Sequence, residues 1–370
     1  MTFATNGGWR ANCYIVHTLR CYGIWYAIFD LSWQGDLVYL PYGNALKAHR
    51  KLFHQEFQPS NFSIRRPHHK KALRLFLNHL IDTPEEWLGH VKHFEYRWNT
   101  RRISRGKCNG LLPRYFVLAK SWYGIRDATI TPLFIQVKQA MAKGTAADCF
   151  SLRCLANAQN PDPSPDRLSE EEEMIKQTAG TMYEGSADTG ITILRTFILA
   201  MMCFPDAQRE TQEELDRVVG KEQLPDYEDL DGGNEGLSRL PYVWAVIFEF
   251  LIYVWITRWQ PVVPLFIPHL VNAEDTYKGY YIPKGSTIIP NVWSILRDER
   301  TYGPTAHTFD PKRWLLQERT NERGDSEAEA RWKFNHDMPE PLTITFGFGR
   351  REAHGDFIIP NEHCFAPAFL

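Results

Sequence analysis

Residues 174–204 read "MIKQTAGTMYEGSADTGITILRTFILAMMCF", and this stretch decides the expected fold. Its apolar residues occupy nearly the whole helical circumference, which is typical of a helix that crosses a protein core. About 30 residues at 1.5 Å per residue predict a helix roughly 45 Å long. The preceding segment, "NAQNPDPSPDRLSEEEE" at 157–173, is typical of a Pro-rich linker that closes on an acidic helix start. We therefore expect a domain organised around one central buried helix.

The middle of this helix carries the unusual cluster "EGSADTG" at 184–190. Gly185 costs roughly 1 kcal/mol there relative to alanine, and Asp188 and Thr189 are poor helix formers. Such a cluster indicates extra room or a local distortion that turns a hydroxyl and a carboxylate toward a ligand. A kinked core helix with one hydrogen-bonded aspartate accounts for the same residues, so the segment alone leaves both interpretations open.

The composition excludes several functional classes. With 370 residues and 44% hydrophobic content, the chain can bury the core of one large domain or two smaller ones. A balance of 42 basic against 44 acidic residues gives no global field that would attract nucleic acid. The seven cysteines are scattered without metal-ligand spacing, which argues against a disulfide framework or a zinc site and favours a reducing compartment.

The sequence predicts no membrane-spanning helix and no signal peptide. No run of 18 or more apolar residues is present. The nearest candidate, "CYGIWYAIFDLSW" at 21–33, is too short and too polar at its ends. We therefore expect a soluble chain.

Amphipathic helices are predicted before the central one. Asn44 is a good N-cap, and apolar residues recur at helical spacing in "YGNALKAHRKLFHQEF" at 42–57. A basic run, "IRRPHHKKALRLFLNHL" at 64–80, predicts a second helix. Thr83 and Pro84 have the positions of the cap and first residue of a third.

Helices and a small β region are predicted after the central helix. The segment 205–220 is typical of an exposed charged helix that ends at Gly220, and 240–259 of a buried helix. Strand and turn signals follow in "YKGYYIPKGSTIIPNVW" at 277–293, with the turn at 283–285. The chain is therefore predicted to form a mostly α (α+β) domain.

Residues with binding chemistry occur in three later segments. Arg258 and His269 flank the prolines of "RWQPVVPLFIPH", where such residues are more often structural hydrogen-bond partners than ligands. Arg313 lies in "HTFDPKRWL", where pairing with a neighbouring carboxylate is the default expectation. The glycines of "FGFGRR", which begins at Phe346 and includes Gly349, permit a tight loop with inward-facing N–H groups.

In this order along the chain, these segments resemble the cytochrome P450 family of haem-thiolate monooxygenases, in particular the fungal multigene members of secondary metabolism. The resemblance covers residues 32–355 with interruptions and is densest over 174–351. It implies a P450-like helical domain with a long central helix and a small β region. Residues 1–31 stay unassigned, and 356–370 form an atypical tail.

The resemblance implies a haem cofactor and assigns roles around it. Asp188 and Thr189 would lie above the iron, with Thr189 handling protons during oxygen activation. Arg50, His269 and Arg351 would meet the haem propionates through charge-assisted hydrogen bonds.

The resemblance also implies supporting groups and partners. Phe346 and Gly349 belong to the loop that holds the haem, and Glu249, Arg258 and Arg313 would form the buried ion network beneath it. The implied partners are an NADPH-dependent reductase and a small lipophilic substrate, with no nucleic acid. Candidates for part of the reductase-docking face lie on one predicted helix: Lys47 and Lys51.

The main departure from the family is the missing axial ligand. The position of the cysteine whose thiolate would bind iron is occupied by Ala353, so the predicted metal-ligand set is empty. His354 and Cys364 are the nearest substitutes, and neither has the expected place in the loop.

A second departure affects the ion network. In the family the glutamate and arginine are three residues apart on one helix face, whereas Glu249 and Arg258 are nine apart, or about 180° around a continuous helix. The segment "IYVWIT" at 252–257 has the character of an insertion. We therefore expect both buried charges to lose their partner.

Smaller departures point to a truncated or altered copy. Leu46 occupies the place of a propionate-binding tryptophan, and Ser186 and Gly190 alter the oxygen-site motif. Family members are anchored to the endoplasmic-reticulum membrane. Without that anchor and without the helix after the haem loop, this chain would be cytoplasmic and incomplete at both ends.

Three hypotheses follow for function. The first is a P450-type monooxygenase, impaired because Ala353 supplies no thiolate. The second is a non-catalytic remnant that acts as a helical interaction protein. The third is a haem binder with histidine or water as axial ligand.

Overall fold

The computed structural model describes residues 13–16, 37–38, 40–57, 62–94, 119–159, 164–226, 229, 239–255, 267–318 and 331–339. Within them, the side chains of 13–16, 62–65, 68–69, 119–126, 186–188, 251–255 and 331 are not described. The chain divides into two compact units. We call Thr18–Ile191 the helical unit, and Met1–His17 together with Thr192–Leu370 the mixed unit.

The described part of the helical unit consists of helices. They are α1 (Asn44–Phe57), α2 (Phe62–Asp82), a 3₁₀ turn (Pro84–Glu86) that leads into α3 (87–94), α4 (Ala119–Ala142), α5 (Phe150–Ala158) and most of α6 (Pro165–Cys203). The predicted helices around 42–57 and 64–80 are confirmed. In α1, the apolar stripe turns Leu46 and Phe57 inward, as its sequence spacing requires.

The third predicted helix begins as expected, but its cap works differently. Thr83 has the N-cap position with Pro84 after it, yet its side chain makes no capping hydrogen bond. The hydroxyl instead donates to the carbonyl oxygen of His79 at 3.3 Å and lies 2.8 Å from Nε2 of His90. Thr83 therefore links α2 to α3.

The central helix is longer than predicted. α6 has 39 residues, or about 58 Å at 1.5 Å per residue. It begins at Pro165 because proline at the first helical position and acidic side chains in the next turns stabilise a helix N-terminus. The linker was expected to close on the acidic residues before 174, so the helix begins several residues earlier than predicted. Helical conformation continues through 184–190, where the sequence left both a ligand-facing distortion and a kinked core helix open.

α6 is also the one helix among the described residues that is long and apolar enough to cross a membrane by length and composition. This differs from the expectation that no such segment exists. However, 53% of its apolar window is buried inside the structure. A core helix gives the same result.

In its described residues, the mixed unit combines helices with three small sheets. Its helices are α7 (Pro205–Val218), α8 (Pro241–Trp255), α9 (Val292–Ile295), α10 (Glu299–Tyr302) and a 3₁₀ turn (Pro311–Trp314). Its strands are β1 (Cys13–Val16), β2 (His269–Leu270), β3 (Asp275–Tyr277), β4 (Tyr280–Ile282), β5 (Thr287–Pro290), β6 (Leu315–Glu318) and β7 (Arg331–Phe334). The predicted mostly α, α+β class is confirmed.

The strands pair around β5 and in two hairpins. β5 lies between β1 and β2, with both pairings antiparallel. The predicted turn is present, since Gly285 has φ of 86° and the N–H of Ser286 donates to the Pro283 carbonyl. β1 was not predicted, because its order comes from backbone pairing with a strand more than 270 residues away and not from a local pattern.

The core of the mixed unit surrounds α8. This helix is buried along residues 241–250, as its apolar sequence predicts. Phe248 contacts Trp314 and Phe334 in edge-on aromatic pairs. The same packing places one acidic residue of α8 deep in the core.

Candidate functional site

Glu249 is the acidic residue that α8 carries into the core of the mixed unit, and its side chain is fully buried. Its neighbours along the helix, Phe248 and Phe250, are also buried. An ionised carboxylate in such surroundings is tolerated only when charged or polar partners replace water. The geometry around Glu249 therefore determines whether α8 can keep this position.

One short segment supplies three donors to Glu249. Arg313 donates from Nε to Oε2 at 2.8 Å, and Trp314 donates from Nε1 to the same oxygen at 2.9 Å. The backbone N–H of Asp310 donates to Oε1 at 3.1 Å. The 3₁₀ turn that starts at Pro311 brings these groups to one side of the chain, and both carboxylate oxygens are satisfied.

Arg313 extends this network into the preceding loop. Its Nη1 donates to the carbonyl oxygen of Tyr302 at 2.7 Å. Its Nη2 donates to the carbonyl oxygens of Thr305 and Thr308 at 2.6 and 2.8 Å. The planar guanidinium thus joins Glu249 to three backbone carbonyls, one at the end of α10 and two in the loop that follows it, and its fixed fork of donors suits this arrangement.

The structure brings Glu249 and Arg313 together. The partners of Glu249 come from a segment about 60 residues further along the chain. The expected loss of the pair between Glu249 and Arg258 stays a prediction. The helix α8 itself spans Pro241–Trp255. Arg258 lies outside the described residues.

The other predicted site residues are distributed over both units. Arg50 lies half-buried on α1, and Thr189 lies half-buried on α6, both in the helical unit. Asp188 is part of α6, but its side chain is not described. His269 lies half-buried in β2 of the mixed unit, opposite Ile288 of β5. Their shared role at one cofactor stays a prediction.

The predicted haem loop lies outside the described residues. This applies to Phe346, Gly349, Arg351 and Ala353, and equally to the substitutes His354 and Cys364. In the part of the chain that the structure does describe, no three His, Cys, Asp or Glu side chains form a group that could hold a metal ion.

Two of the described cysteines, Cys149 and Cys154, have no nucleophilic character. Cys149, Cys154 and Cys203 are free thiols. Burial is the main cause that raises the pKa of Cys149, and it raises the pKa of Cys154 to about 12, so both stay protonated near neutral pH. A thiolate nucleophile is the reactive form of cysteine. These two thiols therefore act as core residues.

Sequence reasoning missed two groups that matter here. Trp314 was not singled out as a donor, although its indole N–H donates to Glu249. Glu56 and Arg153 were not singled out, yet both carboxylate oxygens of Glu56 lie 2.7 Å from Nη2 of Arg153 in the helical unit. The tryptophan could have been found because its indole N–H is a hydrogen-bond donor next to Arg313, a residue that the resemblance places in the ion network. Glu56 and Arg153 are 97 positions apart, so their pairing leaves no local pattern in the sequence.

Comparison with known proteins gives a consistent set of matches. The family model described as Cytochrome P450 matches residues 109–357. The chain is 30% identical to Cytochrome P450 monooxygenase 208 of Postia placenta, over 89% of this chain and 65% of that protein. It is 28% identical to Tryptamine 4-monooxygenase of Psilocybe cyanescens, over 92% of this chain and 69% of that protein. The chain spans 64 to 65% of the length of the first three curated relatives it matches.

Proposed function

The chain belongs to the cytochrome P450 family, and from that membership we propose that it carries the scaffold of a monooxygenase that inserts one oxygen atom from O₂ into a lipophilic organic substrate. The observation that carries the proposal is the family match over residues 109–357. The sealed network of Glu249 and Arg313 supports it, because it occupies the positions that the resemblance assigns to the ion network.

The haem that the family uses can be tested against this chain's donor atoms. A haem-thiolate centre needs a cysteine sulfur on the iron. Ala353 has only a methyl group at that position, and the described residues contain no alternative metal-binding group. A thiolate-ligated haem therefore does not fit this chain as written. We infer that monooxygenase activity is impaired for this reason.

The partners are proposed from the family. Members of the family are typically membrane-anchored and work with reductases on lipophilic substrates. We extend an NADPH-dependent reductase and a small lipophilic substrate to this chain. Lys47 and Lys51 on α1 are exposed, as a docking surface requires.

Ala353 also favours a second candidate function. A chain that keeps its core but lacks the ligand would act as a non-catalytic helical interaction protein. Haem held by histidine or water is the third possibility, and imidazole ligation favours oxygen binding or electron transfer over hydroxylation.

An absorption spectrum separates these functions. The purified chain would be incubated with haem, reduced and exposed to carbon monoxide. We expect no thiolate-type band, and such a band would refute the inferred impairment. A shifted haem band would identify a non-thiolate haem binder, whereas no haem band would favour the interaction protein.

The matched variants Ala353→Cys and Ala353→Ser test the role of the ligand. If the scaffold still accommodates haem, only the cysteine variant gains a thiolate-type band, since the serine variant has similar size without the sulfur. A scaffold that no longer forms the site gives identical spectra for both, and the monooxygenase proposal would then fail for this chain.

A further inference from the structure

α7 carries two glutamates one helical turn apart. Glu210 and Glu214 are at positions i and i+4, so they lie on one face of the helix. Glu214 is buried and Glu210 is a quarter exposed. Buried carboxylates need partners, and the partners of these two come from the segments that form the Glu249 network.

Glu214 caps α8 from outside that helix. The first N–H groups of a helix have no acceptor within it. Oε2 of Glu214 accepts from the N–H of Val243 at 2.8 Å, and the carboxylate also accepts from the N–H of Tyr242. Its negative charge suits the positive end of the helix dipole. Glu214 thus fixes the start of the helix that carries Glu249.

Glu210 binds the other part of the network, the turn that supplies the donors to Glu249. Its Oε1 accepts from Nζ of Lys312 at 2.8 Å, and its carboxylate is hydrogen-bonded to the phenol of Tyr242. Lys312 lies between Asp310 and Arg313, in the turn that supplies the donors to Glu249. Glu210 therefore contacts the turn that donates to Glu249, and Glu214 contacts α8, the helix that carries Glu249.

We infer that Glu210 and Glu214 are positioning residues that together align Glu249 on α8 with Arg313 and Trp314. The inference goes beyond the proposed function, because it concerns how the mixed unit builds its network and requires no cofactor. It also gives the network a dependence on protons.

The proton dependence follows from Glu214. Burial raises its pKa from 4.5 to about 6, although the N–H groups of Val243 and Tyr242 and the guanidinium of Arg217 at 3.8 Å oppose the rise. Among the described residues, the charged groups near this face include Glu210 on α7 and Asp310 and Lys312 of the turn. Because burial disfavours the ionised carboxylate more than its hydrogen bonds and the helix dipole favour it, the folded state prefers the protonated carboxyl of Glu214. The stability that this preference contributes is complete below pH 4.5 and is lost as pH rises through about 6.

Glu214→Gln tests this dependence with Glu213→Gln as control, because Glu213 is an exposed neighbour on the same helix. Unfolding constants would be measured by urea denaturation at several pH values. A folded-state pKa of about 6 against 4.5 in the unfolded chain predicts that the ratio of the two variants' unfolding constants changes about 20-fold between pH 4 and pH 7. Parallel pH profiles for the two variants would overturn the proton dependence.

The alignment is tested by a double-mutant cycle. Lys312→Met removes the contact with Glu210 from its exposed side and leaves Glu249 intact. Trp314→Phe raises the unfolding constant by some factor in the native chain. If α7 aligns the donors, this factor is at least 3-fold smaller in the Lys312→Met background. The same cycle with Lys221→Met, an exposed residue that follows α7, should be additive. Additive effects for Lys312 would refute the alignment, whatever the stability of the Glu210 variants.

Discussion

In the described part of each unit, a buried glutamate accepts a short hydrogen bond from an arginine distant in sequence, and these two pairs differ in their access to solvent. In the mixed unit, Glu249 and Arg313 are 0% and 4% exposed. In the helical unit, Glu56 and Arg153 are 7% and 36% exposed. The bond lengths are similar, at 2.8 and 2.7 Å. The difference lies in what satisfies the remaining donors.

Arg313 has only protein to satisfy its other nitrogens, and it uses three backbone carbonyls. Arg153 donates to Asp148, which is itself half exposed, and its open side reaches water. A sealed pair is costly to break because a charge is then left without water, whereas an open charge is rehydrated. The same two residue types should therefore contribute very different amounts to stability.

The largest effect is expected for Arg313→Met. The variant leaves the Glu249 charge buried and frees three carbonyls, so we expect a loss of about 3 to 5 kcal/mol in the free energy of unfolding. Denaturant unfolding at constant m-value measures it. Arg300→Met is the control, because Arg300 is an exposed residue paired with Asp298. A loss below about 1 kcal/mol for Arg313→Met would contradict the sealed character of the pair.

Trp314→Phe should have the next largest effect. It keeps a buried aromatic ring but removes the indole N–H that donates to the Glu249 carboxylate. A hydrogen bond to a charged group contributes about 1.5 to 3 kcal/mol. Trp293→Phe serves as control, because Trp293 is partly exposed and stacks with Arg297. Equal losses for both variants would show that ring volume, and not the hydrogen bond, matters at 314.

Arg153→Met tests the open pair. Glu56 stays mostly buried but keeps a route to water, so we expect a loss of about 1 to 2 kcal/mol. Because the guanidinium is partly exposed, the loss should shrink as salt rises from about 0.05 to 1 M. The loss for Arg313→Met should change little over the same range. If both losses respond equally to salt, exposure does not explain the difference between the pairs.

The comparison also explains what the sequence could predict. α8 and α6 were predictable because their apolar residues exceed what any exposed helix would carry. Arg313 could be named as a partner of Glu249 only through the resemblance. The loss of the pair between Glu249 and Arg258 was predicted from their spacing along one helix. The donors to Glu249 come from residues 310–314, which lie outside α8. Spacing along a helix cannot predict contacts with such a distant segment. The pair of Glu56 with Arg153 lay beyond reach for the same reason.

The smallest effect is expected for Lys138→Met, which breaks a pair that is more exposed than either of the two above. Lys138 of α4 pairs with Glu172 of α6 at 2.6 Å, and the two side chains are 45% and 21% exposed. The short distance alone would place this pair with the strongest ones. Its exposure predicts a loss of only about 0 to 0.5 kcal/mol, because water replaces the lost contact and the long lysine side chain regains rotamer freedom. Lys143→Met, an exposed lysine just after α4, controls for the added apolar surface. A loss as large as that of Arg153→Met would show that distance outweighs exposure, and the contrast between the Glu249 and Glu56 pairs would then need another cause.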